Sequence, residues 1–358
     1  MTTRMPSLDK IPATVVTGFL GSGKTTLISS LLRQANGKRI AVIVNEFGDL
    51  DVDAELIRGC ALENCPADEN NGIYELANGC ICCTVEEEFL PVMKELVKRR
   101  HELDHILIET SGLALPKPLV QAFNWPEIKQ FCTVDAVITV VDGPALAVGK
   151  VAQSTARIEA QRQADRNLDH DPSLQELLED QLAAADMVVV SKTDQMSEDD
   201  RLRVNDRLHA VLPPSVQTLF VRQGGAEASL LMGLGLGSEQ RVEHVHTHHD
   251  HHHAEGRAHH HAHDNFEHYV VTLGVVDTLQ LLDALRSLVA SQAIFRIKGF
   301  ADTGKPMRQV LHVVGDRIGL HFDRLWHQDE SRQTRLIFIG RELNTKAIDV
   351  LLSHVSQH

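Results

Sequence analysis

The chain has 358 residues, enough for two domains and a sizeable core, and sets 35 lysines and arginines against 49 aspartates and glutamates, a formal charge of −14 with histidine neutral. That balance lacks the basic face that sequence-independent nucleic-acid binding requires, and it gives no attraction to anionic lipid, so both classes of partner are excluded. No stretch approaches the ~18 apolar residues of a membrane span, and "MTTRMPSLDK" lacks the apolar core of a secretion signal, so a cytoplasmic protein is expected.

From Ile11 onward, apolar β-branched runs alternate with helical patterns. "IPATVV" leads into "TTLISSLLRQ", where Leu27, Leu31 and Leu32 recur at helical spacing. Further runs fall at 39–45, 103–109, 135–142, 186–191 and 216–221, with helical patterns at 84–99 and about 151–183. Runs apolar almost throughout suit parallel strands buried on both faces. Their alternation with helices predicts a doubly wound, mostly parallel α/β domain over residues 1–240. Of the 21 histidines, 11 lie between His244 and His263, a tract that cannot bury a core. Residues 241–265 therefore read as a flexible linker, either a metal-gathering antenna or a soluble spacer with incidental affinity. Beyond it, strand patterns in "NFEHYVVTLGVV", "QVLHVVGDRIGLHF" and "TRLIFIGR" and an amphipathic "TLQLLDALRSL" predict a small α+β domain over 266–358.

The strongest local signal follows the first strand. Gly18-Phe-Leu-Gly21-Ser22-Gly23-Lys24-Thr25 fits G-x-x-x-x-G-K-[ST] between a strand and a helix. Glycines let the backbone amides curl inward around phosphates, and the helix N-terminus adds a favourable dipole. Lys24 would neutralise β/γ-phosphate charge, Thr25 would offer its hydroxyl to Mg²⁺, and Thr26 completes the candidate set. Ser191-Lys192-Thr193-Asp194, after the strand "DMVVV", resembles the [NST]-K-x-D guanine-reading motif. A carboxylate at Asp194 accepts from guanine N1–H and the 2-amino group; adenine offers neither and would leave it unpaired, at about 1–3 kcal/mol. GTP is thus favoured over ATP. Glu109 closes the buried run "HILIE", with Gly112 just beyond, where an acid holds the Mg²⁺ shell or orients water. The loop after the second strand carries Glu46, Asp49, Asp51, Asp53 and Glu55 and is suited to ordering by γ-phosphate and Mg²⁺.

The stretch "ANGCICCTVEEEF" puts Cys80, Cys82 and Cys83 within four positions. Thr84 and Glu87 fit a capping box, so a helix is expected to start after Cys83 and to favour thiolate there. Pro91 should kink or shorten that helix. The spacing is not the usual C-x₂-C of zinc sites, and residues alone leave metal binding, redox chemistry and core packing open. Further ligands would come from Glu46, water, or Cys60 and Cys65. Cys132, alone between Phe131 and Thr133, reads as core.

Taken in order, G18-FLGSGKTT, N45-EFG, the G79-CICC run, E109-TSG and S191-KTD resemble the CobW-type GTPases, within the P-loop metallochaperone GTPases, and most closely the branch serving cobalamin biosynthesis. The resemblance spans the chain. It implies a GTPase of slow intrinsic turnover that uses Lys24 and Glu109 in catalysis and takes GTP, Mg²⁺ and a cargo metal. The cargo implied is Co²⁺ (or Zn²⁺) on Cys80, Cys82 and Cys83, with Glu46 a further candidate ligand, delivered to a cobaltochelatase or another metal-accepting protein. Ser191 departs from the commoner Asn of the base motif. The competing readings are a P-loop phosphotransferase with structural cysteines and a metal buffer that binds through its histidines.

Overall fold

β1 (Ile11–Thr17) is buried along nearly its whole length, as are β4 (His105–Glu109), β5 (Cys132–Asp142) and β6 (Met187–Ser191), which fits their unbroken apolar sequences. With β2 (Ile40–Asn45), β3 (Ile73–Leu76) and β7 (Gln217–Phe220) they make a seven-stranded sheet in the order β3-β2-β4-β1-β5-β6-β7, every pair parallel. This computed structural model describes residues 10–35, 37–45, 73–76, 89–152, 174–223, 225–242, 267–315, 317–326 and 330–355. The chain divides into two units, Met1–Glu255 and Gly256–His358.

In the first unit, α1 (Lys24–Arg33) buries Leu27, Ile28, Leu31 and Leu32, the stripe expected of a helix lying on a sheet. α2 (Leu90–Lys98) buries Met93, Leu96 and Val97, and Phe89 at its start packs against Phe123 at 5.9 Å between ring centroids. The described helix starts at Leu90, with Pro91 in its first turn, where a missing N–H is tolerated, so it is shorter than the 84–99 pattern of the sequence. The Thr84–Glu87 box lies outside the described residues. α3 (Pro116–Ala122), α4 (Gly143–Ala147), α5 (Leu174–Ala184), α6 (Glu198–Val211) and α7 (Ser238–Val242) complete the set used below. α6 opens with a full capping box, Ser197 accepting from Asp200 N and Asp200 from Ser197 N. Cys132 is fully buried among Ile11, Ala13, Val134 and Ile128, as its isolation suggested, and burial pushes its thiol up to about 12.

A polar group is nonetheless built into this core. His105 Nε2 lies 2.8 Å from Thr14 Oγ1, which in turn lies 3.3 Å from Asp135 Oδ2. Asp135 also accepts from the amides of Gly233 and Gly235 at 2.7 and 2.6 Å, so as an acceptor-only carboxylate it takes the Thr14 proton. His105 must then donate from Nε2, as a neutral imidazole. Burial holds its pKa down at about 4, with Asp135 opposing the shift and Lys38 adding to it.

The second unit is a five-stranded antiparallel sheet in the order β11-β10-β9-β12-β8, formed by β8 (Glu267–Leu273), β9 (Ile294–Ala301), β10 (Met307–Val314), β11 (Arg317–Leu325) and β12 (Thr334–Gly340). α8 (Thr278–Ser291), capped by Asp277, and α9 (Thr345–Ser353), capped by Asn344, lay Leu285, Leu288, Ile348 and Leu352 against Leu311, Leu336 and Phe338. β9 and α9 were not anticipated. Arg296, Lys298 and Gly299 interrupt the apolar run of β9, yet a Cβ at Gly299 would stand 2.0 Å from the Arg335 carbonyl oxygen, so the neighbouring strand requires the glycine. Among the described residues, no helix is long and apolar enough to cross a membrane.

Candidate functional site

The first crossover places the candidate site. β1 lies between β4 and β5, the connections running to opposite sides, so the loop after β1 emerges at the carboxyl rim where such sheets bind ligands. Register brings the partners into line: Val16 pairs with both Glu109 and Ile138, and Asp142 pairs with Ser191. The ends of four strands thus meet around residues 18–25.

Gly18, Gly21 and Gly23 all hold positive φ, at 135°, 73° and 101°, and bend the loop so that α1 starts at Gly23 with no side-chain cap. Its first amides are left for a ligand. A Cβ on Gly18 would stand 2.1 Å from the Val140 carbonyl oxygen, so only glycine lets the loop lie this close to β5. Gly112, after β4, does the same from the other side, where a Cβ would sit 2.6 Å from Leu20 N. Lys24 Nζ curls back to donate to the Gly18 and Phe19 carbonyls at 2.9 and 3.2 Å. Thr25 Oγ1 donates to Glu109 Oε1 at 3.0 Å, bringing together two residues 84 apart in sequence. The Ser22 hydroxyl is buried without a hydrogen-bond partner, and Thr26 is exposed. Uncapped amides, an orphaned buried hydroxyl, a lysine held by weak carbonyl acceptors and a hydroxyl–carboxylate pair form a donor set that fits a polyphosphate with Mg²⁺.

The turn after β6 closes the other side. Ser191 Oγ reaches the Ser22 and Val141 carbonyl oxygens at 2.5 and 3.1 Å. Lys192 takes a left-handed conformation at φ 57° and pairs with Asp142 Oδ2 at 2.5 Å. Asp142 also caps α4 through Ala145 N. Thr193 is buried, and its amide donates to the Val221 carbonyl, whereas Asp194 is exposed. Of the four motif residues, Ser191 touches the phosphate loop directly, through the Ser22 carbonyl. Sequence reasoning missed Asp142 and the packing roles of Gly112 and Gly18. The available signal for Asp142 was an acid ending a buried run directly before Gly-Pro, a helix-capping pattern.

Glu46, Cys60, Cys65, Cys80, Cys82 and Cys83 lie outside the described residues. Among the described residues, no three His, Cys, Asp or Glu side chains cluster as metal ligands.

Residues 12–220 match the model of the CobW/HypB/UreG nucleotide-binding domain, well over half the chain. The chain belongs to the CobW/HypB/UreG family. Residues 268–356 match the cobalamin synthesis protein cobW C-terminal domain, so both units fall within the pattern of CobW proteins. Over 354 residues the chain is 52% identical to the zinc chaperone CobW of Pseudomonas aeruginosa, covering 96% of this chain and 91% of that one. It is 46% identical over 342 residues to the zinc chaperone CobW of a Sinorhizobium species, with 95% of each chain covered. To the zinc chaperone YjiA of Escherichia coli it is 29% identical, covering 95% and 97%. The family is one of P-loop GTPases, the class the sequence motifs suggested, and the fold described here is its parallel sheet followed by an antiparallel unit.

Proposed function

We propose that this chain is a GTP-hydrolysing metallochaperone that carries Zn(II) on Cys80, Cys82 and Cys83 and hands it to a metal-accepting protein. The observation that carries the nucleotide half is the junction of an uncapped helix N-terminus, the Thr25–Glu109 hydrogen bond and the Ser191–Asp194 turn at one rim of the sheet. In this reading the uncapped amides at the start of α1 hold phosphate oxygens, Lys24 swings from its carbonyls onto the β/γ-phosphates, and Asp194 takes the guanine edge. Thr25 and Glu109 hold Mg²⁺ and its water shell, and Glu46 lies in the loop that responds to them. Bound Mg²⁺ bridges phosphate oxygens and neutralises developing charge, the main contribution a protein of this kind needs. No arginine finger is evident in the sequence, which fits slow turnover until a partner arrives.

The cargo follows from chemistry and kinship together. Thiolates prefer Zn(II) to Co(II) in the Irving–Williams order, and the three near-full-length relatives described above are all named zinc chaperones, which moves the first choice from Co(II) to Zn(II). Delivery of Co(II) to a cobaltochelatase is the second reading, favoured by the match of residues 268–356 to a cobalamin-synthesis domain. A carrier must also release its metal. Weakening the site about 10³-fold on hydrolysis takes only ~4 kcal/mol of coupling between nucleotide and metal.

The test is the affinity for Zn(II) and for Co(II), by chelator competition, with Mg·GTP and with Mg·GDP. Tighter binding in the GTP state, lost on replacing Cys82 and Cys83 with Ala, is expected; equal affinities in both states overturn the proposal. Preference for ATP and phosphate transfer to an acceptor other than water would favour a phosphotransferase instead. Deleting residues 244–263 should leave the tight site intact, whereas a histidine-based buffer would lose most of its binding.

A further inference from the structure

Ser191 stands where guanine-reading motifs commonly place an amide side chain, and its hydroxyl is already committed. It is buried, and its oxygen lies 2.5 Å from the Ser22 carbonyl oxygen and 3.1 Å from that of Val141. A serine hydroxyl carries one proton, and both neighbours are acceptors only. That proton is shared between the phosphate loop and the end of β5. Gly23 faces the same side chain: a Cβ built on it would meet Ser191 Cβ in ordinary contact at 3.5 Å. Lys192 is drawn away to Asp142, and the Thr193 hydroxyl is buried, leaving Asp194 as the exposed member of the motif.

Guanine presents two kinds of handle. Its N1–H and 2-amino group donate and suit a carboxylate, whereas N7 accepts and needs a donor. Resting on the reading of the chain as a guanine-nucleotide protein, we infer that Ser191 fastens the phosphate loop rather than reading the base, so that guanine is selected through N1–H and the 2-amino group by Asp194 while its N7 goes unread. Ser191 is then a positioning residue. It ties the turn that selects the base to the loop that holds the phosphates, and base and phosphate sites share one hinge pin.

The test compares GDP, 7-deaza-GDP, ADP and inorganic pyrophosphate as ligands of the full chain by titration calorimetry. Replacing N7 with C–H removes only the acceptor. GDP and 7-deaza-GDP should bind within about twofold of each other, since no hydrogen bond is lost. A loss of tenfold or more for the 7-deaza ligand, with GDP still preferred to ADP, overturns the assignment of Ser191 and spares the guanine reading. GDP binding no tighter than ADP overturns the guanine reading itself, and the inference with it. In Ser191→Ala, GDP and pyrophosphate should weaken by the same factor, about fivefold for one lost hydrogen bond, and the ratio of GDP to 7-deaza-GDP should stay where it was. If the substitution weakens GDP and leaves pyrophosphate unchanged, the hydroxyl serves the base and the inference fails. The wild-type ratio decides even if the variant does not fold.

Discussion

Two polar clusters are anchored on the central strands of the parallel sheet, sharing β4, and they are built to opposite ends. At the carboxyl rim, Lys24, Thr25, Glu109 and Ser191 surround a helix start whose amides no side chain caps. Deeper in, Thr14, His105 and Asp135 from β1, β4 and β5 pass hydrogen bonds along a closed line ending on the Gly233 and Gly235 amides. The first leaves donors for a ligand; the second satisfies its carboxylate from within, leaves the buried His105 Nδ1 acceptor over, and binds the chain after β7 to the sheet. Burial of polar groups alone therefore says little about function. What distinguishes the rim is the donors it leaves over.

Removing the closed line should have the largest effect. Asp135→Ala strips the acceptor from two glycine amides and from Thr14, and should lower stability by about 4 kcal/mol in urea denaturation, with GDP affinity of the folded fraction unchanged. If affinity falls as well, the two clusters are not separate. Acid attacks the same line. The unfolded chain protonates His105 below pH ~6.5, while the folded chain resists until about 4, so stability is fully present above 6.5 and declines as pH falls between the two. The contribution is ~3 kcal/mol by pH 4, and the slope of unfolding free energy against pH should shrink by about one proton in His105→Asn.

The rim responds in the opposite sense. Lys24→Ala should weaken GTP and GDP binding about 100-fold, read by titration, while the urea midpoint moves far less than in Asp135→Ala, because the Lys24 ammonium donates to carbonyls of its own loop rather than joining strands of the core. The smallest effect belongs to Ser197→Ala at the start of α6. Loss of the capping box should reduce stability by about 1 kcal/mol. GDP affinity should hold within twofold, since the turn after β6 is held from the strand side by Ser191 and the Lys192–Asp142 pair.

The rim was legible in the sequence because it obeys a local code. A loop that wraps phosphate needs glycines at fixed offsets, and a guanine reader needs its acid at a fixed distance from a strand end, so Gly18–Thr25 and Ser191–Asp194 could be found one segment at a time. The Thr14–His105–Asp135 line has no such code. Its members are 91 and 121 residues apart, and each alone looks like an ordinary strand residue. Asp142 was hidden for a similar reason, its partner Lys192 being 50 residues away. The parallel strands announced themselves through double-sided burial, whereas β9 carries a buried Arg296, a half-buried Lys298 and a glycine that β12 demands, so its pattern was broken by the very packing that requires it.

Cys132 offers something different from the other five cysteines. Fully buried, with its thiol pushed up to about 12, it holds almost no thiolate at neutral pH and no path to a reagent. Alkylation at this position has to wait for the sheet to open, so its labelling rate is a clock for global unfolding carried inside the protein. Followed by mass spectrometry beside the C-x-C-C thiols, that clock separates a reagent that meets an exposed sulfur from one that catches the chain coming apart. Nucleotide-induced protection at Cys80, Cys82 or Cys83 could then be assigned to the local site whenever the rate at Cys132 stays constant.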